Sequence, residues 1–373
     1  MNKNTRIIKL KPPLINERTI LKKITCIRPV REGNFNISID GSFPNKTIVN
    51  CYGHGGSGWT TLFGSVKRAI ELFQNEADFS VPIRVIGAGC MGLTIAIELA
   101  RLGFKIAGIT TKELYDTASW RAGGYCSLQS LKTAPKEQGN VNLIGIDTFM
   151  VYQQINLGKH PYITKTAVTF MPVYCGKNTP SGIEELEGRG LVPCHEEVTL
   201  DFGNGVQHTD FIGAASYYLN TTKLMQHLLR EVQRLLIPIE IGEVLAYEEV
   251  KEAVIFNCSG FGARKLNQDP FLTPVRGHLV VLNQAASASP IDYMILTKIL
   301  QDEVEEYVYI VPKDTVVFSE YSHEINCRAV LGGTFIPISE NLSAKDLEEL
   351  DRIEFKKLIN RNSLFFHGVP FGS

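Results

Sequence analysis

No apolar run in this 373-residue chain is long enough to cross a bilayer; the most apolar stretch, Val85 to Ile97, is bounded by Arg84 and Glu98. An excess of positive charge is missing too. The 38 Lys and Arg balance 39 Asp and Glu, and the basic residues are scattered, with Lys22-Lys23 too short to count as a patch. That excludes the electrostatic footprint of a nucleic-acid partner. Paired cysteines are absent: the eight stand singly at 26, 51, 90, 126, 175, 194, 258 and 327, with no Cys-x-x-Cys. Reduced, buried thiols in a cytoplasmic protein fit that pattern better than a disulfide framework. Cys194-His195 with His208 has no recognised metal spacing, so a surface loop is expected there and no metal. Met1–Lys11 lacks the apolar segment of a secretory leader, and the C-terminal Phe-Gly-Ser is no peroxisomal address. Repeats and low-complexity tracts are lacking. The length and a 44% hydrophobic content allow about two domains with a substantial core.

What is present is a glycine fingerprint, placed unusually late. Residues 83–103 run Ile-Arg-Val-Ile-Gly87-Ala88-Gly89-Cys-Met91-Gly92 and continue as an amphipathic helix to Gly103. Gly87 suits a tight turn, Gly89 a close backbone approach to a pyrophosphate, and Gly92 close packing of helix on strand. The helix N-terminus then offers N–H groups and its positive dipole end to phosphates.

Before it lie a polar stretch over 1–23, expected to be an extended or partly ordered arm, and short strand-like pieces from Ile24 to Asn50. A glycine loop, Tyr52-Gly-His-Gly-Gly-Ser-Gly58, precedes a helix over about 59–73, with Leu62, Val66, Ile70 and Phe73 on one face. After it, Phe104–Ile109 reads as a second parallel strand, and a loop carries Thr117-Ala-Ser119 to Gly123-Gly124. Residues 130–210 are mixed and hard to read. Thr221–Leu236 reads as a helix, and Ile237–Ile241 and Ala253–Asn257 as strands. Strands are expected at Leu279–Leu282, Tyr307–Val311, Thr315–Phe318 and Arg328–Leu331, then a charged helix over 343–359.

A dinucleotide site of the NAD type carries an acid at the end of the second strand, for the ribose hydroxyls. Counting from Gly87, that place falls on Thr110, followed by Thr111 and Lys112. Thr110 offers a weaker hydrogen bond, and Lys112 suits a charged phosphate. Spacing alone leaves NAD, NADP and FAD open.

Other segments carry a resemblance. Asn50-Cys-Tyr-Gly-His-Gly-Gly-Ser-Gly-Trp-Thr60, Thr25-Cys-Ile-Arg28-Pro-Val-Arg31, Asn257-Cys-Ser259-Gly260-Phe-Gly-Ala263, Pro274-Val-Arg-Gly277, and Tyr309-Ile-Val-Pro312 with Leu331-Gly-Gly-Thr-Phe335 are similar to blocks of the FAD-dependent D-amino-acid oxidase family. They cover most of the chain, with only a loose match over 130–210. Their order is rotated: the arginine and glycine-histidine blocks come first here and last in the family. The chain thus reads as a circular permutant, which nearby termini permit. Its linker, Gln74–Ser80, spans at most about 25 Å.

The resemblance implies an α/β fold: a doubly wound, Rossmann-like FAD-binding domain beside an antiparallel-sheet α+β substrate domain. Residues 31–135 with 212–275 would form the first, and 1–30, 136–211 and 276–373 the second. FAD would be held by Gly53, His54, Gly55, Gly56, Ser57, Gly58 and Thr60; by Gly87, Ala88, Gly89, Met91 and Gly92; by Thr110, Thr117, Ala118, Ser119, Gly123 and Gly124; and by Ser259 and Gly260. Arg28 and Tyr309 would grip a substrate carboxylate, Arg31 being structural. The backbone of the Gly53–Gly58 loop would face the flavin carbonyls. No acid/base residue is expected, since hydride transfer from a neutral amine needs none; His54 would brace its loop and His278 the fold. The family's second substrate-lid tyrosine is replaced by Glu305, and Tyr307, read as lying on the opposite face of its strand, is no obvious substitute.

The implied reaction is oxidation of small amino acids, D-amino acids first, or amines. Hydride passes from substrate Cα to flavin N5, and molecular oxygen is reduced to hydrogen peroxide. The imine hydrolyses to keto acid and ammonia. The alternatives are a dehydrogenase with a non-oxygen acceptor and a flavin-fold binding module without catalysis. A homo-oligomer is left open.

Overall fold

The computed structural model describes residues 5–74, 79–128, 133, 135–284, 291–301, 304–313, 328–339 and 341–372. The strand expected over 315–318 lies outside them. Two sheets organise the chain, as the α/β reading anticipated.

The smaller sheet runs, edge to edge, Ile239–Ile241, Ile106–Thr111, Ile83–Ile86, Val254–Asn257, Thr47–Tyr52 and Asn36–Asp40. Its first five strands are mutually parallel, and Asn36–Asp40 returns antiparallel against Thr47–Tyr52. Parallel strands are covered on both faces, hence the fully apolar Val254-Ile-Phe256. Helix Leu62–Gln74 turns Leu62, Val66, Ile70 and Phe73 inward, as its periodicity predicts. It packs on the fingerprint helix Cys90–Arg101, which packs in turn on Thr221–Arg234.

The larger sheet has ten strands and is mostly antiparallel. Its long members are Ile20–Arg31, Val168–Gly176, Gln207–Leu219, Leu272–Asn283, Met294–Gln301 and Val304–Pro312. Helix Ala344–His367 covers its far face, opened by a Ser343/Asp346 capping box and closed by Gly368 at φ 70°.

Three regions take a more definite form than the sequence indicates. The N-terminal arm is ordered: Arg6–Lys9 pairs in parallel with Glu196–Asp201, and Ile20–Arg31 pairs with Leu272–Asn283. Residues 135–156 form a helix the sequence hid, packed against Leu62–Gln74. Domain boundaries drawn at 211/212 and 275/276 fall inside strands Gln207–Leu219 and Leu272–Asn283, both wholly in the larger sheet. We propose to move those two boundaries to the strand ends.

Candidate functional site

The carboxyl ends of the parallel strands open into a cavity of about 960 Å³ that reaches the larger sheet. This is the upper end of the range for ligand cavities, and the crevice outside strand ends is where such sheets bind ligands. Every site residue expected from the sequence lines it except Gly92.

Gly92 lies behind. A Cβ there would fall 1.9 Å from the carbonyl oxygen of Gly87, and one on Gly87, at φ +103°, 2.3 Å from that of Cys258. These glycines are demanded by the protein's own packing. Gly58 and Gly260 are different: a Cβ on either would meet no protein atom nearer than 3.8 Å. The room they leave belongs to the cavity, and suits an occupant lying against the backbone. At the fingerprint, Gly89 caps helix Cys90–Arg101, whose first turn carries no acid. Ser119 Oγ accepts the Cys90 N–H at 3.0 Å, and the Trp59 indole donates to the Ser119 carbonyl at 3.0 Å. An acid-free helix N-terminus at the floor of a glycine-walled cleft fits a pyrophosphate.

His54 is buried, stacked on Phe35 at 4.4 Å, with Nε2 3.1 Å from Ser65 Oγ. Burial pulls its pKa down to about 3, so the ring is neutral and serves its loop. His278 is likewise engaged, with Thr334 and Asp351. Buried thiols beside the cleft are held protonated: burial pushes Cys90 up to about 11. Among the described residues no cluster of His, Cys, Asp and Glu could hold a metal.

At the other end lies Arg28. Its Nη1 donates to the Thr334 carbonyl at 2.9 Å, and its guanidinium stacks over Phe335 at 4.6 Å. It sits on Gly277, where a Cβ would fall 2.5 Å from it. Desolvation lowers its pKa, and no described carboxylate pairs with it. A desolvated guanidinium without an anion is costly, and marks a place for one. Arg31, three residues on, has its anion: Nε lies 2.7 Å from Asp269. Tyr309 faces Arg28 electrostatically, and burial raises its pKa.

Tyr307 corrects the sequence reading. Residues two apart on a strand share a face, so Tyr307 lies on the side of Tyr309, and both line the cavity. Glu305 pairs with Lys298 at 2.6 Å and does not line it. Lys313 was also missed. It is buried, and its ammonium donates to the carbonyls of Trp120 and Ala122 and to Thr221 Oγ1, tying the 117–124 segment to the larger sheet. Desolvation lowers its pKa to about 8. A single Lys after Val-Pro reads as solvent-facing, and no sequence signal marks it.

A glycine-walled cleft at the ends of the parallel strands thus runs into a pocket lined by Arg28, Tyr307 and Tyr309. A sequence model of the FAD dependent oxidoreductases matches residues 83–361, and the chain belongs to that family. Its cofactor is FAD. A D-amino-acid oxidase of Streptomyces coelicolor is 28% identical over 202 residues, which are 53% of this chain and 58% of that protein. Among solved structures, iminodiacetate oxidase from Chelativorans sp. BNC1 is similar over 75% of this chain and 79% of its own, at 14% identity and a TM-score of 0.47. L-amino acid deaminase from Proteus vulgaris is similar over 69% and 61%, at 9% identity and a TM-score of 0.42. No described helix is long and apolar enough to cross a membrane.

Proposed function

We propose that the chain is an FAD-dependent oxidoreductase of small amino acids or related amines, with molecular oxygen as acceptor. The carrying observation is Arg28, a desolvated guanidinium with no carboxylate partner among the described residues, in the same cavity as the fingerprint. FAD supplies a two-electron acceptor. Gly53, His54, Gly55, Gly56, Ser57, Gly58, Thr60, Gly87, Ala88, Gly89, Met91, Thr110, Thr117–Ser119, Gly123, Gly124, Ser259 and Gly260 hold it, and Gly92 seats the helix behind them. Arg28 takes the substrate carboxylate, bidentately where its second nitrogen is free, and Tyr309 donates its hydroxyl to the same group. That fixes the direction of the Cα–H bond. No protein base takes part: His54 is neutral and turned to Ser65, so the amine sheds its proton to solvent.

The test is anaerobic. The yellow protein is expected to bleach on adding a panel of D- and L-amino acids and amines, then to recover in air with release of one peroxide per turnover. Bleaching with slow recovery and fast turnover on a dye acceptor makes it a dehydrogenase; no bleaching across the panel leaves the binding-module reading.

The rotated order is read as a circular permutation. The family match begins at residue 83, yet the earlier strand Thr47–Tyr52 lies beside Val254–Asn257 in the same sheet. The two ends of the chain also meet: His367 Nε2 lies 2.9 Å from the Pro13 carbonyl. Joining them by a short linker and reopening the chain within 75–78 should restore the family order and keep FAD bound. Loss of FAD with the fold intact would oppose it.

A further inference from the structure

Strand Ile106–Thr111 ends on threonines and is followed by a lysine, where dinucleotide-binding domains carry the acid for the ribose. The geometry points to Glu243, on the neighbouring strand's end, as the carboxylate that accepts the adenosine ribose hydroxyls of FAD. This role presupposes that FAD occupies the cavity.

Strand Ile239–Ile241 runs parallel to Ile106–Thr111, with Glu240 opposite Thr110 and Ile241 opposite Thr111. The Gly242 N–H donates to the Thr111 carbonyl at 2.9 Å, which extends the ladder one residue further. Glu243 therefore leaves the sheet at its carboxyl edge, beside Lys112, and lines the cavity that contains the fingerprint. It stands one strand sideways from the place where the acid is missing.

Of the other carboxylates lining the cavity near this strand end, Asp116 is paired with Arg121, and Glu113, two residues past Thr111, is the rival that an undiminished preference for FAD in Glu243→Ala would favour. Thr110 and Lys112 are poorly suited to the task. Thr110 Oγ1 is engaged by Arg84 Nη1 at 3.4 Å, and that arginine also holds Glu240 and Glu252. Lys112 has three donors and no acceptor, so it cannot receive hydroxyl protons. A vicinal diol presents two O–H donors, and one carboxylate has an oxygen for each. Two residues on, Leu245 is 60% exposed although it lines the cavity. An apolar side chain left open there offers a face to the adenine ring.

The competing account is a plain surface ion pair. Lys112 Nζ lies 3.0 Å from Glu243 Oε2, with side-chain exposures of 73% and 46%. A pair so open is weak, and it leaves the other carboxylate oxygen available. The two accounts differ in what each partner's removal does.

The experiment titrates apoprotein with FAD and with an FAD analogue lacking both adenosine ribose hydroxyls, following quenching of flavin fluorescence. Wild type should bind the analogue roughly tenfold or more weakly than FAD, the scale of hydrogen bonds to a charged group. Glu243→Ala should bind both ligands alike, at the analogue's affinity, whereas Lys112→Ala should bind FAD at least as tightly as wild type. Equal losses in Glu243→Ala and Lys112→Ala would show a structural brace and overturn the assignment. So would an undiminished preference for FAD in Glu243→Ala. Wild type that binds no FAD at all defeats the cofactor reading instead, and Glu243→Gln with circular dichroism checks that the variant folds.

Discussion

The two ends of the cavity are made of different material. At the dinucleotide end the working parts are backbone: glycines, a helix N-terminus and the loop Gly53–Gly58. At the other end, where acid binding is proposed, they are side chains, Arg28, Tyr307 and Tyr309, carried on strands of the larger sheet. At Gly87 and Gly92 change is poorly tolerated because a Cβ collides with the fold itself. Side-chain sites are separable from stability, and one of them is held at its expense.

The largest effect should come from the first end. Gly87→Ala combines φ +103° with a 2.3 Å approach to the Cys258 carbonyl, so FAD binding should be lost and stability should fall by about 3 kcal/mol or more. Thermal melts and flavin retention check this. A yellow variant melting with wild type would dissolve the contrast between the two ends.

Next come the paired arginines of one strand. Arg28→Ala should raise the apparent substrate constant about a hundredfold while FAD stays bound. Arg28→Met, which removes a desolvated cation without a described anion, should leave the melting point unchanged or higher. Arg31→Met strands buried Asp269 and should cost about 3 kcal/mol, with the substrate constant of the folded protein unaltered. Reversed outcomes would exchange the roles of the two residues.

The smallest effect concerns His54. Its folded pKa, about 3, lies below the ordinary value of 6.5, so its contribution to stability is complete above pH 6.5 and is lost as the pH falls towards 3. Between pH 6.5 and 5 the loss should be about 2 kcal/mol. Denaturant midpoints of wild type and His54→Asn should converge over that interval; parallel curves would mean that the ring is protonated in the folded loop.

Legibility in the sequence followed the same division. The fingerprint, the Gly53–Gly58 loop and the strands flanking them were readable because glycine spacing and β-branched runs are local signals. The helix Pro135–Asn156 was not. Its buried face, through Val141, Gly145, Thr148, Phe149 and Tyr152, includes small and polar residues, while Leu143 and Met150 are exposed. The arm over 1–23 read only as extended or partly ordered because the order of its described part comes from partners far along the chain, such as Tyr293, whose hydroxyl donates to the Lys11 carbonyl. Tyr307 was misplaced by a parity error. Lys313 and Glu243 needed the topology, since each acts beside residues distant in sequence.

The position of Thr47–Tyr52 between Val254–Asn257 and Asn36–Asp40 has a consequence during synthesis. Asn50 and Asn257, opposed in the finished sheet and bonded through their side chains, are separated by 207 residues. At ribosomal speeds that interval lasts about 10–40 s. Throughout it, one edge of an apolar strand has left the ribosome and its partner does not yet exist. The nascent chain can close only the hairpin with Asn36–Asp40, and the central pairing of its cofactor sheet is deferred until Val254–Asn257 has been made.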